Sequence, residues 1–170
     1  PASEAGSARC ALAPKAEAIV PRAAASGADL PRRSARGRGA LTVHTMDLAS
    51  IFEAAKSGNR DAAWQVGDFY REATRGVRYS PRAAYRWYAE SALAGSATGQ
   101  NNVGAAYENG LGCQQSYAKA AKWYRLAARQ GLGVAMSNLA FLYLYGYGTR
   151  ADKAEALHWF KRGAAAGCVK

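Results

Sequence analysis

Residues 102–131 read NVGAAYENGLGCQQSYAKAAKWYRLAARQG, and residues 138–167 read NLAFLYLYGYGTRADKAEALHWFKRGAAAG. The two stretches share a tyrosine, a Gly-x-Gly loop, an alanine, a tryptophan and a closing glycine, all at a constant offset of 36 residues. A third copy precedes them, because the tryptophans at this position are Trp87, Trp123 and Trp159. Self-similarity at a fixed period of this length is the sequence signature of stacked repeat units.

Each period is predicted to contain two helices. The second helix begins after a residue whose side-chain oxygen can accept a hydrogen bond from the first turn, and it ends at a glycine suited to the left-handed conformation. The three starts are Ser80, Ser116 and Asp152, and the three ends are Gly95, Gly131 and Gly167. The first helix carries a small residue at one matched position, which predicts close approach of its partner helix. These residues are Gly67, Gly104 and Ala140.

The order of these features resembles the Sel-1-like repeats, which are relatives of the tetratricopeptide repeats. The resemblance covers roughly residues 47–168. It implies an all-α fold, a right-handed α-α superhelix (solenoid) of stacked helical hairpins. It divides the chain into a half unit at 47–58 and repeats at about 61–95, 97–131 and 133–167. The first repeat departs from the pattern, because its loop has one extra residue and Thr74 stands where the first loop glycine is expected.

Stacked hairpins share one continuous core, since a single hairpin cannot bury enough apolar surface alone. We therefore predict that the periodic tryptophans lie between helices, with stacking against a ligand as the alternative. The first helices usually line the concave side of such a stack, and the resemblance implies that this groove binds a peptide or a protein segment. We accordingly predict a non-enzymatic scaffold or adaptor.

By analogy with tetratricopeptide grooves, the resemblance implies that the side chains beside the core positions of the first helices face into the groove. Amide and hydroxyl groups there can bond the backbone of an extended ligand, while charges select its side chains. The candidates are Gln65, Asp68, Arg71, Asn101, Asn102, Glu108, Ser137, Asn138 and Phe141. Asn102 and Asn138 are 36 residues apart, which predicts that they stack as a ladder. The alternative is that these amides only bond neighbouring helices.

The chain carries a net charge of +11, so an acidic ligand is one expectation. The basic residues gather on the second helices, where they form either a solvated outer face or a patch for an acidic protein, a membrane surface or nucleic acid. No sequence pattern typical of base recognition accompanies these basic residues, so nucleic acid is the weaker hypothesis for the ligand.

Catalytic and metal-binding patterns are scarce in the sequence. Cys10, Cys113 and Cys168 lie far apart, and no pair has metal-ligand spacing. His158 occupies a position held by Arg86 in a sister unit, which predicts a solvent-facing side chain. We therefore predict no enzyme activity, no cofactor and no metal. The alternative from the resemblance is the cysteine-rich branch, linked to β-lactam binding or hydrolysis, but its paired cysteines are lacking.

The first 45 residues lack the repeat and are rich in Ala, Arg, Ser, Pro and Gly, which predicts disorder. Met46 directly precedes the first helical pattern, so one interpretation is that the natural chain starts at Met46 and that residues 1–45 are non-native sequence. The alternatives are an authentic disordered tail and a cleaved transit peptide. No apolar run approaches the length of a membrane helix, and no secretory signal is seen. A cytoplasmic location is the resulting expectation.

The last predicted repeat ends at Gly167, and no polar helix follows it in the sequence. An apolar terminal face is an association site by default. The sequence therefore predicts contact with a partner or self-association at this end, unless the natural chain is longer.

Overall fold

The computed structural model describes residues 47–167, and in that range it contains seven α-helices and no strand. The helices are α1 (Leu48–Lys56), α2 (Arg60–Glu72), α3 (Pro81–Leu93), α4 (Ala97–Asn109), α5 (Tyr117–Arg129), α6 (Gly133–Tyr145) and α7 (Lys153–Ala165). Each helix packs against the next in chain order. The predicted all-α stack of helical hairpins is confirmed. The predictions made for residues 1–45 fall outside the described residues.

Three complete units follow the single helix α1. They are α2 with α3, α4 with α5, and α6 with α7, so that α2, α4 and α6 are the first helices and α3, α5 and α7 the second. The predicted caps are confirmed, because Ser80, Ser116 and Asp152 each accept a backbone N–H from the first turn of a second helix. The closing glycines have positive φ, as predicted; they are Gly95, Gly131 and Gly167.

The core combines alanine and aromatic side chains with aliphatic ones such as Val66, Val103 and Leu139. Trp123 and Trp159 are buried. Trp87 is half-buried and packs edge-to-face on Phe52 of α1, with ring centroids 6.4 Å apart. The prediction that the tryptophans lie between helices is therefore confirmed.

The two glycines among the small residues of the first helices receive tyrosine rings from the second helices. A Cβ atom on Gly104 would lie 2.7 Å from Cδ1 of Tyr124, and one on Gly67 would meet the ring of Tyr88 in the same way. The close approach predicted from these glycines is thus made by a ring lying directly on the backbone.

The loop of the first unit corrects one assignment. Gly110 and Gly146 end α4 and α6 in the left-handed conformation, and the residue in their place after α2 is Ala73, with φ of +54°. Thr74 was the wrong counterpart, because the extra residue of this loop is inserted after the helix has ended. A non-glycine residue with this φ is strained by roughly 1–2 kcal/mol.

Candidate protein-binding face

The first helices lie next to one another along the stack. α2 contacts α4 in addition to its neighbours in sequence, and the Asn138 side-chain amide of α6 donates to Asn101 Oδ1 of α4 at 3.1 Å. Contact between helices that are two apart in chain order, such as α2 and α4, is expected on the inner side of a curved stack. We define the first-helix face as the nine predicted groove residues together with Glu72, Tyr145 and Tyr147, which neighbour them on α2, on α6 and in the loop after α6.

The first unit supplies charged groups to this face. Asp68 Oδ1 accepts from the Tyr88 hydroxyl at 2.6 Å and from the Arg71 guanidinium at 2.9 Å, and Arg71 also reaches Glu72 Oε1 at 2.7 Å. The pKa of Tyr88 is raised well above its ordinary value, mainly by burial and in second place by the hydrogen bond to Asp68. The hydroxyl therefore stays neutral and fixes the carboxylate. Gln65, also predicted for this face, is partly buried in α2.

The middle unit supplies amides and one acid. Asn101 Nδ2 lies 3.5 Å from Asn102 Oδ1, and Asn101 Oδ1 accepts from Asn138. The amide ladder predicted between Asn102 and Asn138 therefore passes through Asn101, because the side chain one position earlier on α4 is the one that faces α6. Glu108 accepts from the hydroxyl of Tyr124, whose pKa is raised by burial and by this bond.

The third unit supplies aromatic rings. Phe141 packs edge-to-face on Phe160 at 5.1 Å and lies parallel to Tyr145 at 6.5 Å between ring centroids. Tyr145 stacks on Tyr147 at 5.7 Å, and Tyr147 stacks on Tyr117 at 5.1 Å. These rings form one continuous row, which we call the aromatic row.

Three members of the aromatic row remain open to solvent. Phe141, Tyr145 and Tyr147 are 48%, 60% and 50% exposed. Of these three exposed rings, the sequence predicts only Phe141 for the first-helix face, although Tyr145 follows it by one helical turn. Tyr117 and Tyr147 come from two loop–helix junctions, and sequence spacing gave no signal that they would meet. Ser137, in contrast, bonds within its own helix through Gly133 O at 3.3 Å.

Charge divides between the two sets of helices. The three first helices carry two basic and four acidic side chains, whereas the three second helices carry nine basic and two acidic ones. The basic excess of the described units therefore lies on the second helices. The first helices, by contrast, carry no excess of positive charge.

Reactive groups are few among residues 47–167. No group of three or more metal-ligating side chains occurs there, and no helix in this range is long and apolar enough to cross a membrane. The thiol of Cys113 is half-buried, and burial raises its pKa, which lowers its reactivity at neutral pH. His158 is exposed, as predicted, and packs edge-to-face on Trp159.

Comparison with known proteins agrees with this architecture. The family model described as Sel1 repeat matches residues 60–96, 97–132 and 133–168. A protective antigen from uropathogenic Escherichia coli strains, displaying an SLR fold, is 32% identical with a TM-score of 0.69; the match covers 72% of this chain and 26% of the antigen. A Sel1 repeat protein from Oxalobacter formigenes is 30% identical with a TM-score of 0.64; it is matched over 74% of this chain and 56% of its own.

A third similar structure is cysteine rich protein B from Helicobacter pylori. It is 17% identical with a TM-score of 0.56, over 72% of this chain and 92% of the other, and this likeness concerns the fold alone. The comparison with curated proteins gave no match. The chain thus spans about a quarter and about half of the two more similar structures.

Proposed function

The chain belongs to the Sel1 repeat family, and from that premise we propose that it is a non-enzymatic scaffold that binds an extended protein segment along the first-helix face. The observation that carries the proposal is the aromatic row, in which Phe141, Tyr145 and Tyr147 are exposed. Phe141 follows Asn138 by one turn of α6, and the Asn138 amide is bonded to Asn101 of α4. Exposed tyrosines supply apolar contact area with a hydrogen-bonding hydroxyl, at a small cost in side-chain entropy. Amides beside them can bond the backbone of a bound segment.

The order of side chains along this face suggests the chemistry of the ligand. Charged groups dominate at the first unit, uncharged amides at the second and aromatic rings at the third. We propose a segment whose apolar or proline-containing end lies on the aromatic row. An acidic ligand, expected from the net charge, would instead meet the second helices.

A direct test is selection of binding peptides from a random library, followed by measurement of their affinity for single variants. Tyr145→Ala is expected to weaken binding about tenfold, because it removes a central ring of the row. Tyr79→Ala is the matched control, since Tyr79 is also 60% exposed and lies outside the first-helix face. Equal affinity of both variants, or a library that yields no binder, would refute the proposal.

A double variant tests whether the amides contact the ligand. Asn102→Ala with Asn138→Ala leaves the helix caps and the core untouched. If the amides serve only to join α4 and α6, the unfolding midpoint falls while peptide affinity stays the same. If they bond the ligand, affinity falls as well. Repeating the titration at two salt concentrations measures how much of the contact is ionic.

The basic second helices favour one further candidate. A polyanion such as nucleic acid or an acidic protein would bind there with strong salt dependence. The matched experiment is a mobility-shift titration in which Lys122→Glu is compared with Glu90→Lys, since both positions lie on second helices. Opposite changes in affinity would support an electrostatic partner on this side.

A further inference from the structure

The central ring of the aromatic row, that of Tyr145, stands at a position that is open in all three units. The matched residues are Glu72 at the end of α2 and Asn109 at the end of α4. Both are exposed although another unit follows theirs in the stack. The exposure of Tyr145 therefore belongs to its position in the repeat, and the fold itself presents this ring to solvent.

The exposed rings of the row are close to parallel. The planes of Phe141 and Tyr145 differ by 2°, and those of Tyr145 and Tyr147 by 25°. The centroids of the two pairs are 6.5 Å and 5.7 Å apart. A polyproline II helix rises about 3.1 Å per residue, so a segment of that kind that follows the row passes from one ring to the next over about two residues.

The first helices that flank the row carry almost no charge. Glu108 is the one charged residue of α4 and α6, and its carboxylate accepts from the hydroxyl of Tyr124. The nearest cation along the chain is Arg150, in the loop beyond the end of the row. A charged group covered by the centre of this surface would lack an ionic partner, so the part of the ligand that lies there is expected to be uncharged.

Hydrogen-bond donors without an acceptor lie on the same face. Within residues 47–167, the hydroxyls of Tyr145 and Tyr147 and the side-chain NH2 group of Asn102 donate to no protein group. Each can donate to a carbonyl oxygen of a bound segment. A polyproline II helix has no internal hydrogen bonds, so its carbonyls are free to accept, and its prolines bring no N–H group that would need an acceptor.

We propose that the ligand of the first-helix face is a proline-rich segment in the polyproline II conformation, with its prolines packed on Phe141, Tyr145 and Tyr147. This inference rests on the proposed function and narrows it to one class of ligand. Aromatic-lined grooves suit such segments, because the free chain is already extended and loses little conformational entropy on binding. From the rise per residue, the three rings span a core of about four or five residues.

An amphipathic helix fits this surface less well. The carbonyls of a helix are bonded within it, except in its last turn. A bound helix would therefore cover the hydroxyls of Tyr145 and Tyr147 without supplying acceptors, and a donor that is covered and unsatisfied weakens binding.

The test titrates the full chain, labelled with nitrogen-15, with an uncharged peptide of six prolines flanked by glycines. NMR spectra are expected to show saturable shifts of the amide signals of Phe141, Tyr145 and Tyr147. A glycine–serine peptide of equal length is the ligand control and should bind at least tenfold more weakly, because it offers no rings to the row and loses more entropy on binding. Affinity for the hexaproline peptide should be equal at two salt concentrations, since the contact is uncharged.

Three variants locate the contact. Tyr145→Ala should weaken binding of the hexaproline peptide about tenfold, whereas Tyr79→Ala, at an equally exposed tyrosine outside the face, should leave it unchanged. Tyr145→Phe should weaken binding about threefold, because the ring stays while the hydroxyl donor is lost. Circular dichroism of each variant checks that the helices are intact.

The outcomes separate this inference from the proposed function. Proline enriched at neighbouring positions of the peptides selected from the random library would support the inference. Selected peptides that depend on Tyr145 but contain no proline would overturn it and leave the proposed function standing. Equal affinity for the hexaproline and glycine–serine peptides, or shifts confined to residues away from the row, would overturn it as well. A library without binders, together with no shift by hexaproline, would refute both.

Discussion

The first and third units place different chemistry at the same two positions. Asp68 and Tyr88 form a hydrogen bond in the first unit, whereas Phe141 and Phe160 form an edge-to-face ring pair in the third. The middle unit has Ala105 at the first of these positions, and Tyr124 turns to Glu108, one helical turn along α4. A buried hydroxyl needs an acceptor, so hydroxyl and acid are present together or absent together.

The comparison shows which residues of a repeat can vary independently. Alanines, caps and closing glycines recur because each meets a local requirement of a helix. The tyrosine and its acid vary as a pair, since losing one leaves the other unsatisfied. In the third unit the phenylalanine at the tyrosine position needs no acid, so the position of the acid can hold the aromatic ring of Phe141. The binding chemistry can therefore differ between units that share one backbone fold.

The largest expected effect comes from the middle unit, which has neighbours on both sides. Trp123→Ala should lower the free energy of unfolding by about 3–5 kcal/mol, because the side chain is buried and its cavity cannot collapse easily. Trp159→Ala should cost less, since among the described residues α7 packs against a helix on one side only. Urea denaturation of both variants gives the comparison, and equal losses would contradict it.

The pairing of Asp68 with Tyr88 is tested by a double-mutant cycle. Asp68→Ala should cost about 1–3 kcal/mol, because it leaves the buried Tyr88 hydroxyl without its acceptor. Adding Tyr88→Phe should restore part of that loss and reproduce the arrangement of the third unit. Strictly additive losses would show that the two residues contribute independently.

A smaller change in stability is expected at the small residue of each first helix, which in the middle unit lies against the ring of Tyr124. Gly104→Ala should destabilise by about 1–2 kcal/mol, since the new methyl group meets the ring of Tyr124 and this outweighs the gain in helix propensity. The third unit already has Ala140 at this position, and there Ala140→Gly should cost about 1 kcal/mol. Thermal unfolding compares the two, and a stabilised Gly104→Ala variant would be the contradictory result.

The smallest expected effect is a gain. Ala73→Gly should raise the free energy of unfolding by about 0.5–1 kcal/mol, because the strain it relieves at the end of α2 exceeds the extra conformational entropy that glycine loses on folding. Gly110→Ala, in the middle unit, is the reverse change and should destabilise by a similar amount. Unchanged unfolding midpoints for both would show that these two loops tolerate a Cβ equally.

The features predicted from sequence are those that depend on residues close in the chain. Helix starts at Ser80 and Ser116 follow from local hydrogen bonding, and stacking follows from the fixed period. The bond between Asn101 and Asn138 depends on the rotation of α4 against α6, which the period does not specify. The meeting of Tyr117 with Tyr147 depends likewise on how a loop folds back onto the preceding unit. The nine groove residues follow from the analogy with tetratricopeptide grooves, and their ligand contacts remain predictions.

Two loop glycines bear on the shape of longer arrays. Gly112 lies against the backbone of Pro81 and Arg82 in the preceding unit, and Gly148 lies against Tyr117 and Ala118 in the same manner. Gly76, by contrast, has open space around it within the described residues. A methyl group on Gly112 or Gly148 would clash with the backbone of the preceding hairpin. A side chain at either position would therefore push its loop away from the preceding hairpin, so a single substitution there is expected to change the angle between successive units of a longer array.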